Sequence, residues 1–443
     1  MTKKKLFLIL GGGLLALIIC VSVVVWAIVA NASNDDAKYS DNELPVMRLT
    51  LNGVTFEEIA SGAKNIKYPG NSLKLYDDGS VQEFTEVELK GRGNSTWDMA
   101  KKPLQIKLED KADLFGLNKA RKWVLIANLF DFSKLRNDVA ANVANMLDIG
   151  QAQKGQYLEL YIDDEYQGLY YLTHKPEIDK NVVDLRNSMG VLVEVDNLHG
   201  LGTGCYTAED STCIIAKDLV SEDLEAEAMG DFMTNFNLLI QAARDKDFTM
   251  VESLIDVKSF AEYYLLSEFT VNPDAYISSW FMYKDGVGDK IHAGPGWDFD
   301  YALGNKNWIW RSTDDFYSPE NDMIREIDAM GGKFVVDGQV IEKEADGIAS
   351  KLIYYLMKIP EFREEVDKVF REQMSGRKNE LLMDLRWQAS KIYSASLRDS
   401  EKWGVPLEGE VEYLIDWVSR RFDHFEKTYG TGEEGENVNM TEV

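Results

Sequence analysis

The hydrophobic period of this chain changes near Leu219, and that change limits the folds open to it. Before that point, short β-rich runs alternate with Gly, Asn and Asp turns. The runs are Val46–Leu51, Ser72–Tyr76, Val81–Leu89, Pro103–Leu108, Lys122–Asn128, Gln156–Ile162, Gln167–Thr173 and Val191–Val195. One helix interrupts them, with Leu135, Val139, Val143, Met146 and Leu147 at helical spacing and Asp131 or Ser133 available as its cap. Beyond Leu219 the pattern turns helical: Glu222–Arg244, Val257–Phe269, and long helices from Glu344 to near Phe425. A strand pair, Ser279–Lys284 and Lys290–Ala293, lies between them. Val411, Leu414, Ile415, Val418, Phe422 and Phe425 form one apolar stripe, which reads as core. The expectation is an α+β fold spanning about 44–428, with a strand-rich lobe over about 44–196 and a helix-rich lobe over about 219–428. A ligand site is expected in the cleft between lobes.

The amino terminus addresses location. Lys3, Lys4 and Lys5 (residues 1–5, the inner end) precede an unbroken apolar run, Leu6–Ala30, of about 25 residues, enough to cross a bilayer. The expectation is a single-pass cell-membrane anchor over 6–30, a polar stalk over 31–43, and the bulk of the chain outside the cytoplasm. A cleavable signal peptide ending near Ala30-Asn31-Ala32 is the alternative. Residues 429–443 form an acidic tail, expected to be disordered. Cys205 and Cys213 lie eight apart by a Gly-rich loop, so a disulfide is expected there. The net charge of −27 argues against a nucleic-acid partner. Four scattered histidines (His174, His199, His292, His424) support neither zinc nor a hydrolytic triad.

Four segments carry candidate chemistry. In Gly294-Pro295-Gly296-Trp297-Asp298-Phe299-Asp300, Asp298 and Asp300 can offer adjacent carboxylates to Mg²⁺, which binds substrate phosphates through such pairs. The alternative is a turn whose aspartates cap local amides. Gly91-Arg92-Gly93-Asn94-Ser95-Thr96-Trp97 offers close backbone approach, with Arg92, Asn94 and Ser95 as candidate phosphate contacts, the alternative being an ordinary hairpin turn. After it, Lys102 or Lys107 can point into a cleft from opposite faces of one strand, the alternative being solvated surface. Asn272-Pro273 ends a helix and presents Asp274 as a candidate general base, or as a plain turn residue. Arg136 at the opening of the lone helix is an anion-site candidate or a surface cation.

Taken in order, Gly-Arg-Gly-Asn-Ser-Thr-Trp, Lys-Lys-Pro-Leu, Leu-Arg-Asn, Gly168-Leu169-Tyr170-Tyr171-Leu172, Asn-x-Asp and Gly-Trp-Asp-x-Asp resemble the CotH (spore coat protein H) family of atypical kinases. The resemblance implies a divergent protein-kinase-like two-lobed fold, and transfer of the ATP γ-phosphate to protein Ser or Thr with Mg²⁺ or Mn²⁺. On it, Asp298 binds metal with support from Asp300, Asp274 matches the catalytic-loop aspartate, and the 91–96 turn stands over the phosphates. One position departs: Ser279 stands where kinases supply a metal-binding Asn. Two other readings stay open: a non-catalytic cell-surface binding or adhesion module, and a nucleotide-sugar glycosyltransferase using Asp-x-Asp.

Overall fold

Period-two alternation in the first half of the chain builds a closed barrel. The computed structural model describes residues 43–149, 154–198, 204–272, 274–305 and 350–430, with Tyr39 and two short paired strands at 333–336 and 339–342. Residues 6–30, expected from the sequence to be a membrane anchor, most of the expected stalk and the tail beyond Gly430 lie outside the described residues. Among the described residues no helix is long and apolar enough to cross a membrane.

The barrel strands are β1 (Val46–Thr50), β2 (Tyr68–Asp77), β3 (Ser80–Gly91), β4 (Leu104–Asp113), β5 (Lys119–Ile126), β6 (Gly155–Ile162) and β7 (Glu165–His174). They close in the order β1-β2-β3-β4-β5-β7-β6, with β1 and β6 parallel and Val46 opposite Glu159. Alternate residues point inward: Met47 and Leu49, Leu73 and Leu75, Leu104 and Ile106, Trp123 and Leu125, Leu158 and Leu160 share one buried cluster. A short helix α1 (Phe56–Ser61) carries a capping box between Thr55 and Glu58. Helix α2 (Arg136–Met146) packs Val139, Val143 and Met146 into the larger core, against the outer face of β5, β6 and β7 (Val124, Tyr157, Tyr171).

A second sheet follows, in the order β12-β11-β8-β10-β9. It comprises β8 (Val191–Val195), β9 (Tyr206–Thr207), β10 (Cys213–Leu219), β11 (Trp280–Lys284) and β12 (His292–Ala293). The sequence pattern grouped Val191–Val195 with the barrel strands, but β8 pairs with β10 and β11 instead. Its five residues are all buried, so no alternation marked which sheet it would join. Cys205 is disulfide-bonded to Cys213.

The remaining helices are α3 (Glu225–Asp245), α4 (Phe248–Leu254), α5 (Val257–Thr270), α6 (Leu352–Met357), α7 (Pro360–Val369), α8 (Lys378–Trp403) and α9 (Glu410–Tyr429). Every residue of α5 from Phe260 to Thr270 is buried, which makes it the central helix. The α9 stripe packs there: Phe269 meets Phe422 and Phe425 edge-on, at ring-centroid distances of 5.7 and 5.3 Å. The fully buried Arg421 of α9 donates to the carbonyls of Glu268 and Phe269, satisfying acceptors at the buried C-terminal end of α5. Tyr429, placed by the sequence at the start of the tail, is buried in the last turn of α9.

Candidate active site

Three of the segments singled out in the sequence meet at one cleft of ≈ 790 Å³ between the barrel and the second sheet. Its lining includes Arg92, Asn94 and Ser95 from the Gly-rich turn, Asp274, and Asp298 with Asp300.

The turn forms because two positions have no side chain to spare. A Cβ on Gly91 would overlap the ring of Trp97, which packs at the barrel mouth and donates its Nε1 to the Gly62 carbonyl at 3.2 Å. Gly93 has φ +84°, a conformation open to glycine at little cost. Asn94 and Ser95 are exposed to the cleft, and Lys64 Nζ donates to Asn94 Oδ1 at 2.6 Å. Half-buried Arg92 lies over the Trp297 ring with 5.1 Å from Cζ to the centroid. Burial lowers its proton affinity, while Asp298, Asp300 and Glu194 raise it.

The Asp-x-Asp segment leaves β12 through a cis Gly294–Pro295 bond, and Asp298 sits at φ +65°. Helix α2 holds this segment from behind. Asn137 Oδ1 accepts the Phe299 amide at 3.1 Å, and Asn137 Nδ2 donates to Asp300 Oδ1. Arg136 Nε donates to the Ala302 carbonyl at 3.0 Å, and its NH1 to Asp131 Oδ1 at 2.5 Å. Asp131 Oδ2 in turn accepts the Arg136 amide at 2.7 Å, the first of the helix. Arg136 is therefore a fully buried strut and does not line the cleft as an anion contact. Asp300 is buried, and that burial with the neighbouring Asp298 charge pushes its carboxyl up to about 7, against the bond from Asn137.

Asp274 follows α5 in a turn that the Asn272 side chain fixes. Asn272 Oδ1 accepts the Asp274 amide at 3.1 Å, and its Nδ2 donates to the Asp298 carbonyl at 3.3 Å. One side chain thus ties the general-base candidate to the metal candidate. Ser279 lines the same cleft at φ +55°, nearly buried.

The lysine expectations are corrected. Lys102 turns away: its Nζ donates to the Trp97 carbonyl at 2.6 Å and lies 5.0 Å over that ring. Lys107 pairs in register with Glu88 and Lys122, beyond the cleft. Lys101 borders the cleft instead, with its side chain fully buried in the wall, and Gln105 on β4, Glu194 and Lys217 on the second sheet and Asp196 just past β8 also line it. Three lysines within seven residues gave no signal of which would turn inward. Asn137 and Asn272, both missed as site residues, stood inside quoted motifs but carry no charge to flag them.

A divalent cation fits the donor chemistry at Asp298 and Asp300, two carboxylates one residue apart at the cleft wall. Among the described residues no three His, Cys, Asp or Glu side chains form a preformed cation cage. Phosphate oxygens would have to complete the coordination, as is usual for Mg²⁺.

The arrangement is a cleft with a glycine turn and Arg92 on one side and clustered carboxylates on the other. The family described as CotH kinase protein matches residues 89–425, and the chain belongs to that family. None of the curated proteins compared with the chain matches it. Among solved structures, one similar chain is the crystal structure of a Helicobacter pylori proinflammatory kinase, CtkA. It is 11% identical, with 82% of this chain and 93% of that chain covered, at a TM-score of 0.20, too low to bear on the fold.

Proposed function

We propose that this protein transfers the γ-phosphate of ATP to Ser or Thr hydroxyls of a protein acceptor, from a protein-kinase-like two-lobed fold. The observation that carries the reading is convergence. Arg92 in the Gly91–Thr96 turn, Asp274, and Asp298 with Asp300 come from three separate stretches of chain and line one cleft. In this reading the turn and Arg92 bind and orient the phosphates, and Asp298 with Asp300 would hold Mg²⁺ or Mn²⁺. When bound, that ion supplies positive charge against the phosphate oxygens. The Asp274 carboxylate orients the acceptor hydroxyl and takes its proton. We further propose that Leu6–Ala30 anchors the chain in the cell membrane with the catalytic unit outside, a reading supported by the Cys205–Cys213 disulfide.

Ser279 favours a second reading, metal-dependent nucleotide binding without transfer, because it replaces the amide that kinases use as a metal ligand. Calorimetric titration of the full-length chain in detergent with ATP and Mg²⁺ tests what both readings share. Saturable binding that Asp298→Ala removes is expected. No heat with either metal would sink both.

A further inference from the structure

A buried charge cluster adjoins the cleft that the chemistry above does not use. Lys101, Lys134 and Asp399 have fully buried side chains, and Asp399 comes from α8, 298 positions after Lys101. Its Oδ1 accepts from Lys101 Nζ at 2.6 Å and from the Leu169 amide at 2.9 Å, and its Oδ2 faces Lys134 Nζ at 3.2 Å. Lys101 also donates to the Leu169 carbonyl at 2.5 Å and sits 4.5 Å over the Tyr170 ring, while Lys134 reaches the Asn128 carbonyl at 3.5 Å. The barrel wall is opened for this acid. Gly168 has φ +115°, and a Cβ there would overlap Asp399 Oδ1 and lie 3.1 Å from Lys101 Cε. The same end of α8 docks on the barrel through Trp403 Nε1 to the Gln167 carbonyl (3.0 Å) and Arg398 Nε to buried Glu159 (3.0 Å).

Two lysine side chains face one carboxylate inside the wall, a buried charge cluster held by mutual pairing. The position of that cluster gives it a use. Lys101 borders the cleft beside Gly93 and Pro103. Lys134 precedes Arg136 and Asn137, the residues that hold the Asp-x-Asp segment. Protein kinases pair their phosphate-binding lysine with an acid on the helix of the strand lobe. Here the acid of α2, Asp138, lies 3.5 Å from the Tyr171 hydroxyl, and the lysine's partner comes from the far end of the chain.

We propose that Asp399 is a positioning residue for phosphate binding, holding Lys101 and Lys134 behind the cleft wall so that nucleotide affinity depends on the docking of α8. The proposal rests on the nucleotide reading above. The test compares the full-length parent with Asp399→Asn in two measurements. In the first, ATP–Mg²⁺ and adenosine are titrated separately. Asp399→Asn is expected to weaken ATP by at least about tenfold, the scale of losing a group that orients a ligand-binding residue, and to leave adenosine unchanged. Equal weakening of both ligands, or of neither, overturns the proposal. In the second, hydrogen exchange is followed without any ligand. Faster exchange at the 91–97 turn and across 129–137 is expected; acceleration confined to α8 overturns the coupling. If the parent binds no ATP, the nucleotide reading fails by itself and the exchange result still decides the coupling. Should Asp399→Asn not fold, Lys134→Met, which leaves a neutral Lys101–Asp399 pair, carries the same comparisons: selective loss of ATP affinity supports the proposal, and unchanged affinity overturns it.

Discussion

Replacing Asp300 with Asn should make the protein more stable and less active, and the stability gain should depend on pH. Asp300 is buried beside Asp298, and its carboxyl is pushed from 3.8 up to about 7. At about 1.4 kcal/mol per tenfold change in proton affinity, that displacement represents about 4 kcal/mol of penalty on the ionised form. Below about pH 4 the carboxyl is protonated in both folded and unfolded chains, and no penalty applies. Between pH 4 and 7 the unfolded chain ionises while the folded one holds its proton, so stability falls as pH rises. Above about pH 7 the full penalty stands. Asn keeps an oxygen for the Asn137 amide and removes the charge. With unfolding entropy near 2 cal/mol/K per residue, the gain at pH 8 converts to a rise in melting temperature of about 5 °C. The assay is thermal unfolding of the full-length parent and Asp300→Asn at pH 5 and pH 8, with chelator and without nucleotide. A rise that is equal at both pH values, or absent at pH 8, would refute the reasoning that links burial to the Asp300 charge.

Asn137→Ala removes the acceptor of the Phe299 amide and the donor to Asp300. It should lower phosphate transfer by about 10- to 100-fold while costing about 1–3 kcal/mol of stability, read by initial rates and denaturant unfolding. Gly168→Ala sets a Cβ against Asp399 in a backbone conformation that side chains rarely adopt. Urea titration should show a loss of at least about 2 kcal/mol. Ser279→Asn places at φ +55° a residue that tolerates it better than Ser, so the fold should be retained. Under the kinase reading it should increase transfer at limiting metal; a metal titration of initial rates checks this. Reducing the Cys205–Cys213 bridge opens a small loop and should cost about 2 kcal/mol, seen as a lower urea midpoint in reductant.

Much of the barrel was legible because one-sided burial enforces alternation. Leu73 and Leu75, or Leu158 and Leu160, announce both strand and inward face. Closure was not legible: nothing local to Val46 says that it will meet Glu159 in parallel. The candidate site divides in the same way. Asp274, Asp298, Asp300 and the glycine turn were visible because their chemistry is concentrated in short, unusual segments. The roles of Arg136 and the lysines were not, because a cation's partner, near or far in sequence, is chosen only by the folded backbone. Asp131 claims Arg136 from five residues away, the Trp97 carbonyl claims Lys102, and Asp399 claims Lys101 across most of the chain. A charge in sequence is free to be ligand, strut or surface until the fold supplies or withholds its neighbour.

The activity proposed for this cleft is phosphate transfer. The measurement that addresses it most directly is incubation of the full-length chain with γ-labelled ATP and Mg²⁺ or Mn²⁺, with candidate protein acceptors, beside Asp274→Ala and Asp298→Ala. Label entering Ser or Thr of protein with the parent, and lost in both variants, is the predicted result. Folded parent protein that binds ATP yet incorporates no label, or label that persists in either variant, would contradict the account.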